Sequence, residues 1–313
     1  VLPLHHTFEF TCGLLLPLPR GSRVLYLDEL NAEKLSEGLT KGRVTAMVGV
    51  PALWQMLERR VQQRVAEQGA AATKAFDFAM EMNRMLGQRA GLNLGRVFFG
   101  SIHDALGGGP RYLISGGAAL PKQTAQFFQG LGLPLAEGYG LTEASPVLTV
   151  AKASSRSKPG NVGKAIPNVE IKIANPDASG VGEVHARGPN VMVGYANNED
   201  ATAQVLEDGW LKTGDLGKLD KKKRLTIVGR QKDVIVSTSG ENVYPDDVET
   251  LLGKIASIRE LAIVAVPDGQ GGERVGCLAV PERPADSGDT AETTVARTLR
   301  HERATRALRE AFQ

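Results

Sequence analysis

The sequence predicts an α/β protein with a parallel-sheet subdomain, then a small β-barrel-like subdomain, then a small α+β domain. Three observations predict it. Short buried-strand runs alternate with longer helical spacings as far as about Val150. Short alternating runs separated by Gly, Asn and Asp follow, and a new texture begins near Arg230. Strand–helix alternation argues for a parallel sheet, because parallel neighbours need a crossover long enough to hold a helix.

The elements follow in order. Residues 44–50 form a buried-strand run, and Pro51 stands where a helix would start. Leu53, Met56, Leu57 and Val61 then recur at helical spacing through 52–65. Residues 111–115 read as a strand ending in Gly116-Gly117, residues 121–130 as a helix closed by glycine, and Leu133-Pro134-Leu135 leads into a third strand. After Val150, residues 154–163 are a polar Ser, Lys, Pro and Gly loop, and 169–173 and 182–186 alternate as antiparallel strands do. Beyond Arg230, residues 234–236, 261–266 and 277–280 read as strands, and 245–249 as a helix start with carboxylates in its first turn. Residues 296–312 read as a helix carrying Arg297, Arg300, Arg303, Arg306 and Arg309; Glu302 and Glu310 interrupt that charge, which favours a solvated face over a membrane or RNA patch. The expected domains are 1–229, divided into an α/β part (1–150) and a β-rich part (151–229), and 230–313.

Composition narrows the classes. A chain of 313 residues suits about two domains, with 42% hydrophobic and 23% charged residues in an ordinary globular balance. A net charge of +2 demands no nucleic acid as partner. Cys12 and Cys277 lack metal-ligand spacing and read as reduced structural thiols. The apolar run 14–18 is broken by Pro17 and is far short of the ~20 residues a membrane span needs. The chain opens on Val1 in what already reads as a folded segment, so a fragment is expected.

The chemistry concentrates in Gly138-Tyr139-Gly140-Leu141-Thr142-Glu143 at the exit of the third strand. Glycines let a ligand approach the backbone, Tyr139 offers a flat face to a purine, Thr142 offers a hydroxyl to a phosphate, and Glu143 offers a carboxylate to Mg²⁺. The carboxyl end of a parallel strand is where open α/β sheets bind ligands. Two further segments follow in order, Gly209-Trp210-Leu211-Lys212-Thr213-Gly214-Asp215 and Gly229-Arg230-Gln231-Lys232-Asp233.

Together with Gly116-Gly117-Ala118-Ala119 these motifs resemble the adenylate-forming superfamily of acyl-CoA synthetases, luciferases and peptide-synthetase adenylation domains. The resemblance covers nearly the whole chain. It implies that Gly116, Gly117 and Ala118 line a wall shared by adenine and acyl chain. It implies that Glu137, Gly138 and Tyr139 hold the adenine, with Gly140 and Leu141 completing the nucleotide wall. Thr142 would meet the α-phosphate and Glu143 the Mg²⁺. Asp215 would accept from the ribose hydroxyls, with Arg230 on the ribose or phosphate side. Lys232 would be the hinge of a mobile lid beginning at residue 230, and Gly240 would line the CoA tunnel. Leu2-Pro3-Leu4-His5-His6 resembles the segment before the acyl pocket, with His6 on the acyl or thiol side, and 5–11 is closest to long-chain fatty acid–CoA ligases.

The implied substrates are a fatty acid, ATP with Mg²⁺, and CoA, in a cytoplasmic protein with no nucleic acid partner. A lipid substrate raises peripheral membrane contact, which no segment supports. Two family elements are absent: the Ser/Thr/Gly-rich phosphate loop ending in Pro-Lys-Gly, and the late lysine, since only Lys254 follows Lys232. The chain is therefore expected to be truncated at both ends and inactive in adenylation by itself. The alternatives are a ligase for another acid, a carrier-protein-loading adenylation domain, and a non-catalytic nucleotide-binding module. No G-x-G-x-x-G opens a helix after a strand, which disfavours a dinucleotide-binding oxidoreductase.

Overall fold

Pro51 begins the first long helix directly after the first strand, where its fixed φ suits the first turn and its missing N–H costs nothing. In the computed structural model, residues 3–27, 29, 31–154, 156–158, 160–236, 242–252, 255, 257–267, 273–282 and 294–311 are described. The chain divides into two compact units, Val1–Thr213 with Lys218–Ile227, and Gly214–Gly217 with Val228–Gln313.

In the first unit β1 (Ala46–Gly49), β2 (Tyr112–Ser115) and β3 (Ala136–Gly140) run parallel, with Ala46 opposite Tyr112 and Ile114 opposite Ala136. The helices Pro51–Ala66 and Lys122–Gly130 pack together, and their aromatic anchors are Trp54 and Phe128, fully buried and edge to face at 5.6 Å. Leu53, Leu113, Leu131 and Leu135 complete this core. A third helix, Ala70–Ala90, adds Phe76 and Met80 to it and ends on Gly91 in the left-handed region at φ 73°. Its buried Asn83 donates to the Gly130 carbonyl and accepts from the Leu94 N–H, each at 2.8 Å. Both ends of a buried amide are thereby satisfied, and three segments are tied together.

Beyond Gly140 the chain turns back. β4 (Val147–Val150) runs antiparallel to β3, β5 (Asn161–Ala165) antiparallel to β4, and β6 (Glu170–Ala174) and β7 (Gly182–Arg187) form a hairpin. β8 (Leu206–Glu207), β9 (Trp210–Leu219) and β10 (Leu225–Arg230) follow. The strands form one ten-stranded sheet in the order β1-β2-β3-β4-β5-β10-β9-β7-β6, with β8 on β9.

This corrects the barrel-like expectation for the β-rich segment. β10 returns to pair with β5, Leu225 opposite Gly163, so among the described residues these strands extend the α/β sheet, with β1 and β6 at its two ends. Two apolar clusters pack along this extension, one around Leu148, Ala186 and Leu211 and one around Val184 and Leu225.

The second unit contains the short pair β11 (Ile235–Val236) and β12 (Asn242–Val243), the helix Pro245–Leu252, the hairpin β13 (Ile258–Pro267) and β14 (Glu273–Pro281), and the helix Thr294–Ala311. Ile255, Ile258 and Ala304 form its core, supported by Leu252, Leu261 and Leu308. Arg303, Arg306 and Arg309 are exposed while Ala304 is buried, so the last helix turns its small apolar residue inward. Ser239, Gly240, Glu241 and Lys254 lie outside the described residues.

Cys12 and Cys277 are both free, and burial pushes both thiols up. Among the described residues no helix is long and apolar enough to cross a membrane.

Candidate nucleotide site

The six-residue motif sits at the tip of the β3–β4 hairpin. Leu141 is extended at φ −146°, Thr142–Ala144 make one turn of 3₁₀ helix, and Ser145 reverses the chain in the left-handed region at φ 54°. A Cβ on Gly140 would overlap the Pro146 carbonyl oxygen, so the close approach of the two hairpin arms demands glycine there. Gly138 differs. A Cβ on it would meet nothing closer than 3.8 Å, so packing within the chain does not require a glycine at that position.

Around the tip the carboxyl ends of three parallel strands converge. Gly116 N–H donates to the Gly49 carbonyl at 3.1 Å, and Ser115 stands opposite Glu137. Gly116 is buried against the ring of Phe8, where a Cβ would come within 2.8 Å of Cζ. Gly117 holds φ 82° and is exposed, as is Ala118. The structure therefore brings 116–118 and 137–143 to one place, the crevice where open α/β sheets bind ligands.

Four side chains give that place its chemistry. Tyr139 is half-buried and packs against both apolar clusters of the extended sheet. Thr142 is exposed, its hydroxyl 3.5 Å from that of Thr7. Glu143 is half-buried, and its Oε1 accepts from the Tyr195 hydroxyl at 2.9 Å. That bond raises the Tyr195 pKa. Glu137 is buried, and desolvation pushes its pKa up to about 7 although its Oε1 accepts the Gly160 N–H at 3.0 Å.

The sequence places His6 beside this site, and the structure gives the imidazole a local task. Its Nδ1 accepts the Phe8 N–H at 3.2 Å and caps the short helix Thr7–Glu9. Asp215 and Arg230 lie in the second unit and pair with each other, Nε to Oδ1 at 3.5 Å, with Arg230 largely exposed. Lys232 is exposed in the single 3₁₀ turn Gln231–Asp233 after β10.

Sequence reasoning missed the segment that holds the tip. Asn190 Nδ2 donates to the Ala144 and Val147 carbonyls at 2.8 and 2.9 Å, and Met192 N–H donates to the Glu143 carbonyl at 2.7 Å. With Tyr195, these residues fix Thr142 and Glu143 from outside the hairpin. Gly188, Pro189 and Gly194 mark a turn-rich stretch, but no spacing links it to a motif some fifty residues earlier.

Among the described residues no three His, Cys, Asp or Glu side chains cluster as a metal cage. A lone carboxylate such as Glu143 fits Mg²⁺ all the same, because that ion usually takes one or two protein oxygens and fills its shell with phosphates and water.

Comparison with known proteins agrees with this geometry. The AMP-binding enzyme family matches residues 1–196. The long-chain-fatty-acid–CoA ligase of Salmonella typhimurium is 32% identical over 304 residues, 95% of this chain and 47% of that protein. The indoleacetate–CoA ligase of Aromatoleum aromaticum is 29% identical over 308 residues, 96% of this chain and 52% of that protein. Among solved structures, ATP-bound MatB from Rhodopseudomonas palustris superposes with a TM-score of 0.69 at 25% identity, covering 92% of this chain and 50% of that one. The chain thus spans about half the length of the curated relatives it matches. On its matched sequence, its α/β sheet and the hairpin-tip motif, the chain belongs to the AMP-binding enzyme family.

Proposed function

We propose that the whole protein activates a carboxylic acid with ATP through an acyl-adenylate and passes the acyl group to CoA, a long-chain fatty acid being its substrate. The observation that carries this reading is the hairpin tip. It presents an aromatic face, a hydroxyl and a carboxylate within five residues, beside the carboxyl ends of three parallel strands. The Salmonella relative's name supports the long-chain substrate, and the indoleacetate relative keeps another acid as the second reading.

The chemistry suits a site made of binding groups. A carboxylate oxygen attacks the α-phosphorus of ATP, and the bond to pyrophosphate breaks. The CoA thiol, losing its proton, then attacks the acyl carbon, and AMP leaves with the bridging oxygen. No covalent bond to the protein forms, so rate comes from alignment and from stabilising charge. Tyr139 would stack on the purine, with Gly138 letting the ring approach the backbone. Thr142 would donate to the α-phosphate, where charge develops. Asp215 would accept from the ribose hydroxyls, with Arg230 beside it. Glu143 would hold the Mg²⁺, which when bound neutralises phosphate charge.

A panel of carboxylic acids tests the reading in the full-length protein. CoA-dependent AMP release should be fastest with long-chain fatty acids. Fastest turnover with an aryl or short-chain acid would transfer the assignment to the second reading, and no acid-dependent AMP would overturn both.

A further inference from the structure

The side chain that touches Glu143 has no role in the reading above. We infer that Tyr195 is a positioning residue, which orients the Glu143 carboxylate toward the metal that accompanies ATP. The inference rests on the proposed role of Glu143.

The geometry separates this task from the mere holding of the loop. The segment carrying Tyr195 is already attached to the hairpin tip by Met192 N–H on the Glu143 carbonyl and by Asn190 on two further carbonyls. That attachment runs through the Met192 backbone and the Asn190 amide and does not involve the phenol. The phenol reaches instead to the carboxylate, at 2.9 Å.

Tyr195 is in turn held from behind. Its N–H donates to Thr202 Oγ1 at 2.9 Å, and that hydroxyl donates to the Asn198 carbonyl at 2.8 Å. Asn198 caps the helix Glu199–Val205, accepting the Ala201 N–H at 3.1 Å. A chain of hydrogen bonds therefore runs from a helix N-terminus through Thr202 and Tyr195 to Glu143.

A glutamate on a hairpin tip has three side-chain torsions to freeze before it can bind an ion. A phenol donor on Oε1 fixes the plane of the carboxylate and directs metal binding to Oε2. Such partners of ligating carboxylates raise affinity without touching the ion.

The test uses Mn²⁺ as probe, with ATP, and follows bound metal by electron paramagnetic resonance alongside the thermal midpoint. Tyr195→Phe removes one oxygen and keeps the ring. It should weaken Mn²⁺–ATP binding about tenfold, the lower end for lost outer-sphere partners, with the midpoint unchanged. Glu143→Gln should weaken binding at least as much, and adding Tyr195→Phe to it should weaken it no further.

Wild-type binding in Tyr195→Phe beside weakened binding in Glu143→Gln would overturn the positioning role and leave the Glu143 reading standing. Wild-type binding in Glu143→Gln would overturn both. If Tyr195→Phe also lowers the midpoint, the double variant decides. Additive losses mean a structural role and overturn the inference; a loss equal to that of Glu143→Gln supports it.

Discussion

The Glu137 carboxylate, buried beside the hairpin tip, accepts the Gly160 N–H at 3.0 Å and still has its pKa pushed up to about 7. One neutral donor does not repay the desolvation of a carboxylate. A pKa raised from an ordinary 4.5 means that the folded protein holds this proton more tightly than the unfolded chain. The stability tied to it is fully present below pH 4.5 and is lost as pH rises to about 7. Glu137→Gln, which cannot ionise, should remove this slope. Urea unfolding from pH 4 to 8 should show the variant gaining on the natural protein by roughly 3–3.5 kcal/mol across that window, at about 1.4 kcal/mol per pKa unit between 4.5 and about 7. A pH-independent difference would contradict it.

The two glycines of the hairpin arm should fail differently. Gly140→Ala drives a Cβ into the Pro146 carbonyl and should destabilise the fold by about 1–3 kcal/mol, as overpacking does. Gly138→Ala has room within the chain, so its thermal midpoint should hold while ATP affinity falls about tenfold, a steric cost of about 1.4 kcal/mol. Thermal melts with and without ATP separate the two.

Trp54 is the largest fully buried side chain and packs on Phe128. Trp54→Ala should cost about 3–5 kcal/mol, because a rigid two-helix contact collapses poorly into the space vacated. Urea titration reads this directly, and a cost below 1 kcal/mol would mean the core repacks.

Asp215→Ala should raise the ATP concentration for half-saturation about ten- to a hundredfold, the worth of charge-assisted hydrogen bonds of about 1.5–3 kcal/mol. Because the Arg230 partner is largely exposed, the ion pair itself should contribute under about 1 kcal/mol to stability. Unchanged ATP dependence would remove Asp215 from the ribose.

What was legible in the sequence was local. Pro51 announces its helix by its own backbone chemistry, and the hairpin tip at 138–143 stands out by putting glycine, ring, hydroxyl and carboxylate side by side. The barrel-like reading failed because alternation in 169–186 reports which face is buried, while closure depends on which strands pair. The return of β10 to β5 joins Leu225 to Gly163, and no period encodes that. The helix Ala70–Ala90 is hard to read for a related reason, since a polar Asn83 occupies a buried position and is satisfied only by the Gly130 and Leu94 backbones. Tyr195 was invisible because its meaning lies in one contact with a residue far away in the chain.

If a carboxylate oxygen attacks the α-phosphorus of ATP, an oxygen-18 label follows that atom. The full-length protein is given ATP, CoA and a fatty acid labelled in both carboxylate oxygens, and the products are read by mass spectrometry. Adenylation predicts that each AMP carries one labelled oxygen and that pyrophosphate carries none. Label in inorganic phosphate, or unlabelled AMP beside acyl-CoA, would contradict it.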